Sequence, residues 1–521
     1  MEVFNNAIIE INNKHNPVIS FDFLGENEEF GILNITANKA PITTSNTLFL
    51  FTIDITGSMN ERTIGRITKL DIVKQTFKSM LNYLSTIDAP IYIRLHCFNT
   101  EVSVIMETIL IKNKEDLATL YNKIDGLFAD NSTNIEVALK GATEYMDKYS
   151  EENPSHQICH VFMTDGYATI GITNENSLCQ LVSDKYSGIF IGFGKDHNIQ
   201  LMKKMTNKSN AIYQFINDME DTSLIYGETI HQYLYPAARN IEIQFTDCLV
   251  YDWKNNVWTD KLIEGVISSE ANKIYHIKKT RDAIAYATVY GVPHWAGTNE
   301  SLLLDIVHIL PKLINFDTNT ENIVDLTNFM FRQKTMELLF KANSLDDPTE
   351  FENLRNKIRS LFNEIRQYMR DESLLVDGFM NQLCDDLCIT YRNIGTNTGN
   401  MFILARHTSQ GRQQTYSATP KSCRSVEETE VYSQSPFDLP VPSTPRPRML
   451  KRSITGTIHR FPPMDEYDEF QGVPVVENQN DNEDEILTSE IDTYVITGNN
   501  TSCYVNNSTL NTMSQMTQVD P

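Results

Sequence analysis

Between Thr47 and Leu234 the chain alternates short apolar runs with longer stretches whose apolar residues recur every three or four positions. The first run, Leu48-Phe49-Leu50-Phe51-Thr52-Ile53, is continuous, as expected for a central strand covered on both faces. Ile67, Leu70, Val73, Phe77, Met80, Leu81 and Leu84 follow at helical spacing, and Pro90 marks the end of that helix. Ile91–Phe98 and Val102–Met106 flank Asn99-Thr100-Glu101, which predicts a hairpin with an antiparallel edge. Further buried strands are predicted at His160–Thr164, Gly188–Phe193 and Ala211–Ile216, with helical patterns between them. Strands alternating with helices in this way specify an α/β, doubly wound, Rossmann-like domain over 47–234.

The period changes on either side. Residues 1–46 and 235–324 carry strand patterns such as Ile32–Thr36, Ile241–Phe245, Leu249–Tyr251 and Ile274–Ile277, which predict one β-sandwich split by the inserted α/β domain. Over 325–416 the pattern is helical, with Met330, Met336, Leu339, Phe340, Leu354, Ile358, Leu361, Ile365 and Tyr368 in apolar stripes that predict two or three packed helices. From Ser417 to Pro521 the chain is rich in Pro, Ser, Thr, Asn and acid, and this tail is expected to be disordered.

Composition narrows the partners. A formal charge of −24 over 521 residues argues against non-specific binding of nucleic acid or anionic membrane, both of which need a basic face. No apolar run is long enough to span a bilayer and no signal peptide is evident, so no membrane insertion and an intracellular, cytoplasmic location are expected. Eight cysteines lack the paired CxxC spacing of a zinc module and read as free thiols. Cys384 and Cys388, four residues apart in an apolar-periodic stretch, read as core thiols on one helix face.

The chemistry concentrates in Asp54-Ile55-Thr56-Gly57-Ser58-Met59, directly after the first buried strand. Ligand sites of open α/β sheets lie beyond the carboxyl ends of strands, and Gly57 is expected to let this loop turn tightly. Thr133 lies in a loop ahead of an amphipathic helix, and Asp165 ends a predicted strand within Thr164-Asp165-Gly166. Carboxylates and hydroxyls are hard ligands suited to Mg²⁺, Mn²⁺ or Ca²⁺. Asp-x-Thr-x-Ser alone equally describes a turn or a helix cap, so the weight rests on the three segments together.

That set, Asp54-x-Thr56-x-Ser58, then Thr133, then Thr164-Asp165-Gly166, resembles the metal-ion-dependent adhesion site of von Willebrand factor type A domains. The resemblance extends through Ile191-Gly192-Phe193-Gly194 to the helical stretch ending near Glu228. It implies that Asp54, Thr56, Ser58, Thr133 and Asp165 hold one divalent cation, Mg²⁺ or else Mn²⁺ or Ca²⁺. It also implies an open position for a protein partner's Asp or Glu carboxylate. The sequence departs from the family in two places: Thr56 stands where serine is commoner, and Asn131-Ser132 replaces a usual pair of glycines. The layout with a flanking sandwich resembles inter-alpha-trypsin inhibitor heavy chains.

No phosphate loop, nucleophile elbow or metalloprotease spacing accompanies the histidines, so no catalytic set is visible and the chain is not expected to be an enzyme. The expected function is a protein-protein interaction or scaffold role. The alternative is a substrate-recruiting subunit of an enzyme assembly such as a ubiquitin ligase, a role that type A domains also fill. A third arrangement has the tail's Asp465-Glu466-Tyr467-Asp468-Glu469 occupying the chain's own site.

Overall fold

The computed structural model describes residues 9–16, 24, 28–62, 67–112, 117–208, 210–216, 222–280, 283–294, 296, 300–309, 325–345, 347–420, 489–496 and 502–517. The acidic stretch Asp465–Glu469 lies outside the described residues.

The fold opens with strands β1 (Ile9–Asn16) and β2 (Glu28–Ala37), paired antiparallel. The chain then builds a six-stranded sheet from β3 (Thr47–Asp54), β4 (Ile91–Phe98), β5 (Val102–Leu110), β6 (Gln157–Thr164), β7 (Ser187–Phe193) and β8 (Ala211–Ile216). Their order is β5-β4-β3-β6-β7-β8, and every pairing is parallel except β4 with β5. Helices α1 (Lys69–Leu84), α2 (Leu117–Asp125), α3 (Ile135–Glu152), α4 (Glu175–Cys179), α5 (Ile199–Thr206) and α6 (Thr222–Leu234) complete this doubly wound α/β domain.

Strand β3 shows why its sequence is apolar without alternation. Phe49, Phe51 and Ile53 share a core with Val73, Phe77 and Met80 of α1, and the Phe51 and Phe77 rings meet edge to face at 4.9 Å. Leu48 and Leu50 join a second cluster with Ala142, Met146 and Tyr149 of α3. Both faces are therefore dry, and the strand's carboxyl end is held rigidly at Asp54.

After α6 come β9 (Pro236–Thr246), β10 (Cys248–Asp252), β11 (Val257–Thr259), β12 (Lys261–Ser268), β13 (Asn272–Thr280), β14 (Ala285–Pro293) and β15 (Leu302–Ile309). They form two antiparallel sheets, β1-β2-β13-β10-β11 and β12-β9-β14-β15. Strand β2 pairs with β13, with Leu33 opposite Tyr275, so segments from before and after the α/β domain close one sheet. Leu33 and Ile35 pack into one core with Ile241, Ile243, Ala287 and Val289 of the other sheet.

The helical part comprises α7 (Thr327–Ser344), α8 (Phe351–Asp371), α9 (Gly378–Asn393) and α10 (Asn397–Arg412), one helix more than the apolar stripes predicted. Helix α10 is buried around almost its whole circumference, so its sequence carries no amphipathic stripe to read. It seats the bundle on β8 through Phe402, whose ring meets Phe215 edge to face at 5.0 Å. Trp253 packs against the same helix so closely that a Cβ at Gly411 would stand 2.0 Å from its ring. Cys384 and Cys388 are both buried in α9, and no disulfide joins any of the described cysteines.

Within the stretch expected to lack order, residues 421–488 lie outside the described residues, but the final part of the chain packs onto the fold. Helix α11 (Glu490–Thr493) places Glu490 2.7 Å from Arg366, and Ile491 is fully buried. Helix α12 (Asn507–Thr517) lies on α6, with Thr512 bonded to His231 at 2.9 Å and Met513 against Gly227. Ile491, Ile496, Met513 and Met516 are too sparse to register in a composition dominated by Asn, Ser and Thr, yet each finds a prepared apolar surface.

Candidate metal centre

Asp54 is the last residue of β3 and is fully buried. Its Oδ1 accepts the Thr56 backbone N–H at 2.8 Å and its Oδ2 accepts the Thr164 hydroxyl at 2.6 Å. These bonds orient the carboxylate between the ends of β3 and β6. Thr56 Oγ1 and Ser58 Oγ are 3.1 Å apart, and Ser58 donates to Asp165 Oδ1 at 2.7 Å. Asp165 follows β6 directly and is also fully buried.

Thr133 comes from a different loop and is 5% exposed. A Cβ built on Gly166 would stand 3.9 Å from Ser58 Oγ and 4.0 Å from Thr133 Oγ1, so both hydroxyls border the same glycine. Thr133 is fixed by its backbone: its N–H donates to Thr169 Oγ1 at 2.9 Å, and its carbonyl accepts from the Thr169 N–H at 2.9 Å. The structure thus brings Asp54, Thr56, Ser58, Thr133 and Asp165 together at the carboxyl edge of the parallel sheet.

The loop does turn tightly at Gly57, but without a conformation that requires glycine. Gly57 begins a short 3-10 turn (Gly57–Asn60) and is absent from the glycines with positive φ, and a Cβ there would meet only Asn131 O at an ordinary 3.6 Å. The left-handed conformation falls on Asn131 instead, with φ 63°, and its carbonyl accepts the Gly57 N–H at 3.2 Å. Asparagine is among the non-glycine residues that enter this region most readily, so the residue replacing the family's glycine still permits the turn.

Burial, and next the charge of Asp165, push the Asp54 carboxyl up to about 6, against the opposing bonds from Thr164 and Thr56. Two buried carboxylates beside hydroxyls thus form an all-oxygen donor set, whose hard ligands fit a divalent cation such as Mg²⁺.

A basic group absent from the sequence-derived set completes the picture. Lys69, the first residue of α1, puts its ammonium 2.9 Å from Asp165 Oδ2 and 2.5 Å from Glu61 Oε2. Burial of this ammonium is outweighed by the hydrogen bond to Glu61 and the charge of Asp165, which together raise its pKa. A lysine in a first helical turn is an available sequence signal, since the positive end of the helix dipole disfavours it there. Phe128, Tyr167 and Ile170 are exposed close by in sequence: Tyr167 follows Gly166, and the Ile170 N–H reaches Thr133 O at 3.3 Å.

Residues 50–227 match the family model described as von Willebrand factor type A domain. Among curated proteins the chain is similar to mouse inter alpha-trypsin inhibitor, heavy chain 4, with 23% identity over 42% of this chain and 23% of the relative. It is similar also to mouse inter-alpha-trypsin inhibitor heavy chain H2, with 24% identity over 40% of this chain and 22% of the relative. The chain therefore spans less than a quarter of the length of these relatives. Among solved structures, a von Willebrand factor type A protein from Catenulispora acidiphila covers 78% of this chain and 96% of its own, at TM-score 0.54 and 12% identity. The ArnB paralog VWA2 from Sulfolobus acidocaldarius covers 78% and 98%, at TM-score 0.50 and 16% identity. The likeness shows a fold shared across both type A domain and flanking parts.

Proposed function

We propose, with a von Willebrand factor type A domain at residues 50–227 as the premise, that this chain is a binding or scaffold protein that captures an acidic group of a protein partner at the cluster of Asp54 and Asp165. The single observation that carries this reading is the convergence of two fully buried carboxylates and the Thr56, Ser58 and Thr133 hydroxyls from three loops on one sheet edge. Asp54, Thr56, Ser58, Thr133 and Asp165 would hold Mg²⁺, with Mn²⁺ or Ca²⁺ as the other fitting ions. When bound, the ion supplies an open position for a partner's Asp or Glu carboxylate.

The protein's own residues do the rest. Thr164 and the Thr56 N–H fix the Asp54 carboxylate, so little reorganisation is needed for binding. Exposed Phe128, Tyr167 and Ile170 offer apolar surface suited to side chains flanking the acidic residue. The −24 charge supports a partner that is neither nucleic acid nor an anionic membrane, and no described helix is long and apolar enough to cross a membrane. That the described cysteines are thiols outside any disulfide supports an intracellular setting as part of this proposal. The role is binding without turnover.

Calorimetric titration of the full chain with Mg²⁺ and Mn²⁺ tests this. Binding that Asp54→Ala and Asp165→Ala each abolish, with folding retained, is the expected outcome. A well-folded wild type that takes up neither ion refutes the reading.

A further inference from the structure

Lys69 presents a buried positive charge inside the cluster that is to accept a cation. Its side chain is 9% exposed, and it bridges fully buried Asp165 to Glu61, whose side chain is 57% exposed. The ammonium is held in place on several sides. The Lys69 N–H donates to Glu61 O at 3.1 Å, and the loop after β7 closes over its stem. There Gly194, at φ 74°, leaves room for it: a Cβ at that position would stand 3.5 Å from Lys69 Cε and 3.6 Å from Nζ. That loop is itself pinned, since Gly194 O lies 2.8 Å from His197 Nδ1 while His197 Nε2 meets the Tyr213 hydroxyl at 2.8 Å. The helix dipole opposes a cation at this position, so the carboxylates are what keep it there.

The charge balance follows. Asp54 and Asp165 alone would neutralise a divalent ion, leaving a neutral site. With Lys69 retained among them, the empty cluster attracts a divalent ion less strongly, and the filled cluster keeps one buried positive charge. Glu61 offsets that charge only in part, because it stands in solvent where screening weakens it.

Resting on the divalent-cation reading above, we infer that Lys69 is a specificity-determining residue that lowers the affinity of the site for a divalent cation and raises the affinity of the filled site for a carboxylate. The two effects have opposite sign because one fixed positive charge repels the incoming cation and attracts the incoming anion. A residue that only oriented Asp165 would move both affinities the same way.

The test uses the full chain and the Lys69→Met variant, which keeps the apolar stem. Mn²⁺ affinity is measured by calorimetry, and carboxylate affinity by the loss of water-proton relaxation when N-acetyl-glutamate amide is added at saturating Mn²⁺. At effective interior dielectrics the lost repulsion makes Lys69→Met bind Mn²⁺ about tenfold tighter, and the lost attraction makes the carboxylate bind about fivefold weaker. Lys69→Arg, which retains the charge, should stay near wild type. Should Lys69→Met fail to fold, Glu61→Gln serves on the exposed side. It leaves the ammonium wholly to Asp165, so Mn²⁺ should bind about threefold weaker and the carboxylate tighter. Equal or weaker Mn²⁺ binding by Lys69→Met, or an unchanged carboxylate affinity, overturns the inference while wild-type binding that Asp54→Ala abolishes leaves the metal reading intact. Absence of Mn²⁺ binding in both wild type and Lys69→Met overturns the two together.

Discussion

Asp54→Asn should make the cation-free protein more stable while removing its response to cations. The Asp54 carboxyl is fully buried, and burial together with the charge of Asp165 raises its pKa from 3.8 to about 6. At about 1.4 kcal/mol per pH unit, the ionised form costs the folded state roughly 2–3 kcal/mol. The folded pKa lies above the unfolded one, so the stability tied to this group is complete below about pH 4 and lost as pH rises through 6. Asparagine removes that charge. Its oxygen still accepts the Thr56 N–H, whereas the Thr164 hydroxyl must turn from donor to acceptor, an exchange that costs about 1 kcal/mol. The net expectation in a chelator at pH 7.5 is a gain of roughly 1–2 kcal/mol for the variant. Excess Mg²⁺ should reverse the order, because ion at a hundred times its dissociation constant stabilises only the wild type, by about 2.7 kcal/mol. Scanning calorimetry of both proteins, with chelator and with Mg²⁺, reads the two differences. A variant less stable than wild type in chelator, or one that gains stability from Mg²⁺ as the wild type does, refutes the reasoning.

Buried neutral histidines act in the opposite direction at lower pH: burial holds His160 and His407 down to about 3 and His197 and His231 down to about 4, from 6.5. Their folded pKa values are depressed, so stability is full above 6.5 and each group removes up to about 1.4 kcal/mol per pH unit below it. Together they outweigh Asp54, and denaturant unfolding followed from pH 7 to 4.5 should show a steep loss; a flat profile contradicts the burial argument. Ile491→Ala empties a fully buried site between α11 and the bundle and should cost about 2–4 kcal/mol, seen as faster proteolysis of the chain's end, whereas unchanged cleavage would show that this contact holds nothing. Asn131→Gly relieves the left-handed residue beside Gly57 and should leave Mg²⁺ affinity within about threefold while shifting stability by less than about 1 kcal/mol; a large loss of affinity would mean the Asn131 side chain itself shapes the site.

The α/β domain was legible because a strand buried on both faces needs an apolar run without alternation, and β3 has one in Leu48–Phe51. The loop signature was legible for a related reason: strand ends fix where short polar segments must emerge, so Asp54 and Asp165 could be placed before their neighbours were known. Helix α10 was not, since burial on all sides erases the stripe that marks a helix. The closing segment was also hidden, because a few apolar residues in a polar stretch acquire meaning only from the surfaces that receive them.

Local pattern by itself determined the alternation of strands and helices in the α/β domain, the carboxyl-edge position of the candidate site and its oxygen chemistry, because period and ligand hardness are properties of short segments. Tertiary structure alone decided which residues share a charge. Lys69 and Asp165 are 96 positions apart, and nothing in the spacing between them indicates that they meet at 2.9 Å. The same holds for Asn131, whose carbonyl meets the Gly57 N–H at 3.2 Å across 74 positions of sequence. Electrostatic coupling and backbone strain depend on distances that only the assembled sheet edge sets, and the charge of the proposed cation site is therefore a property of the fold.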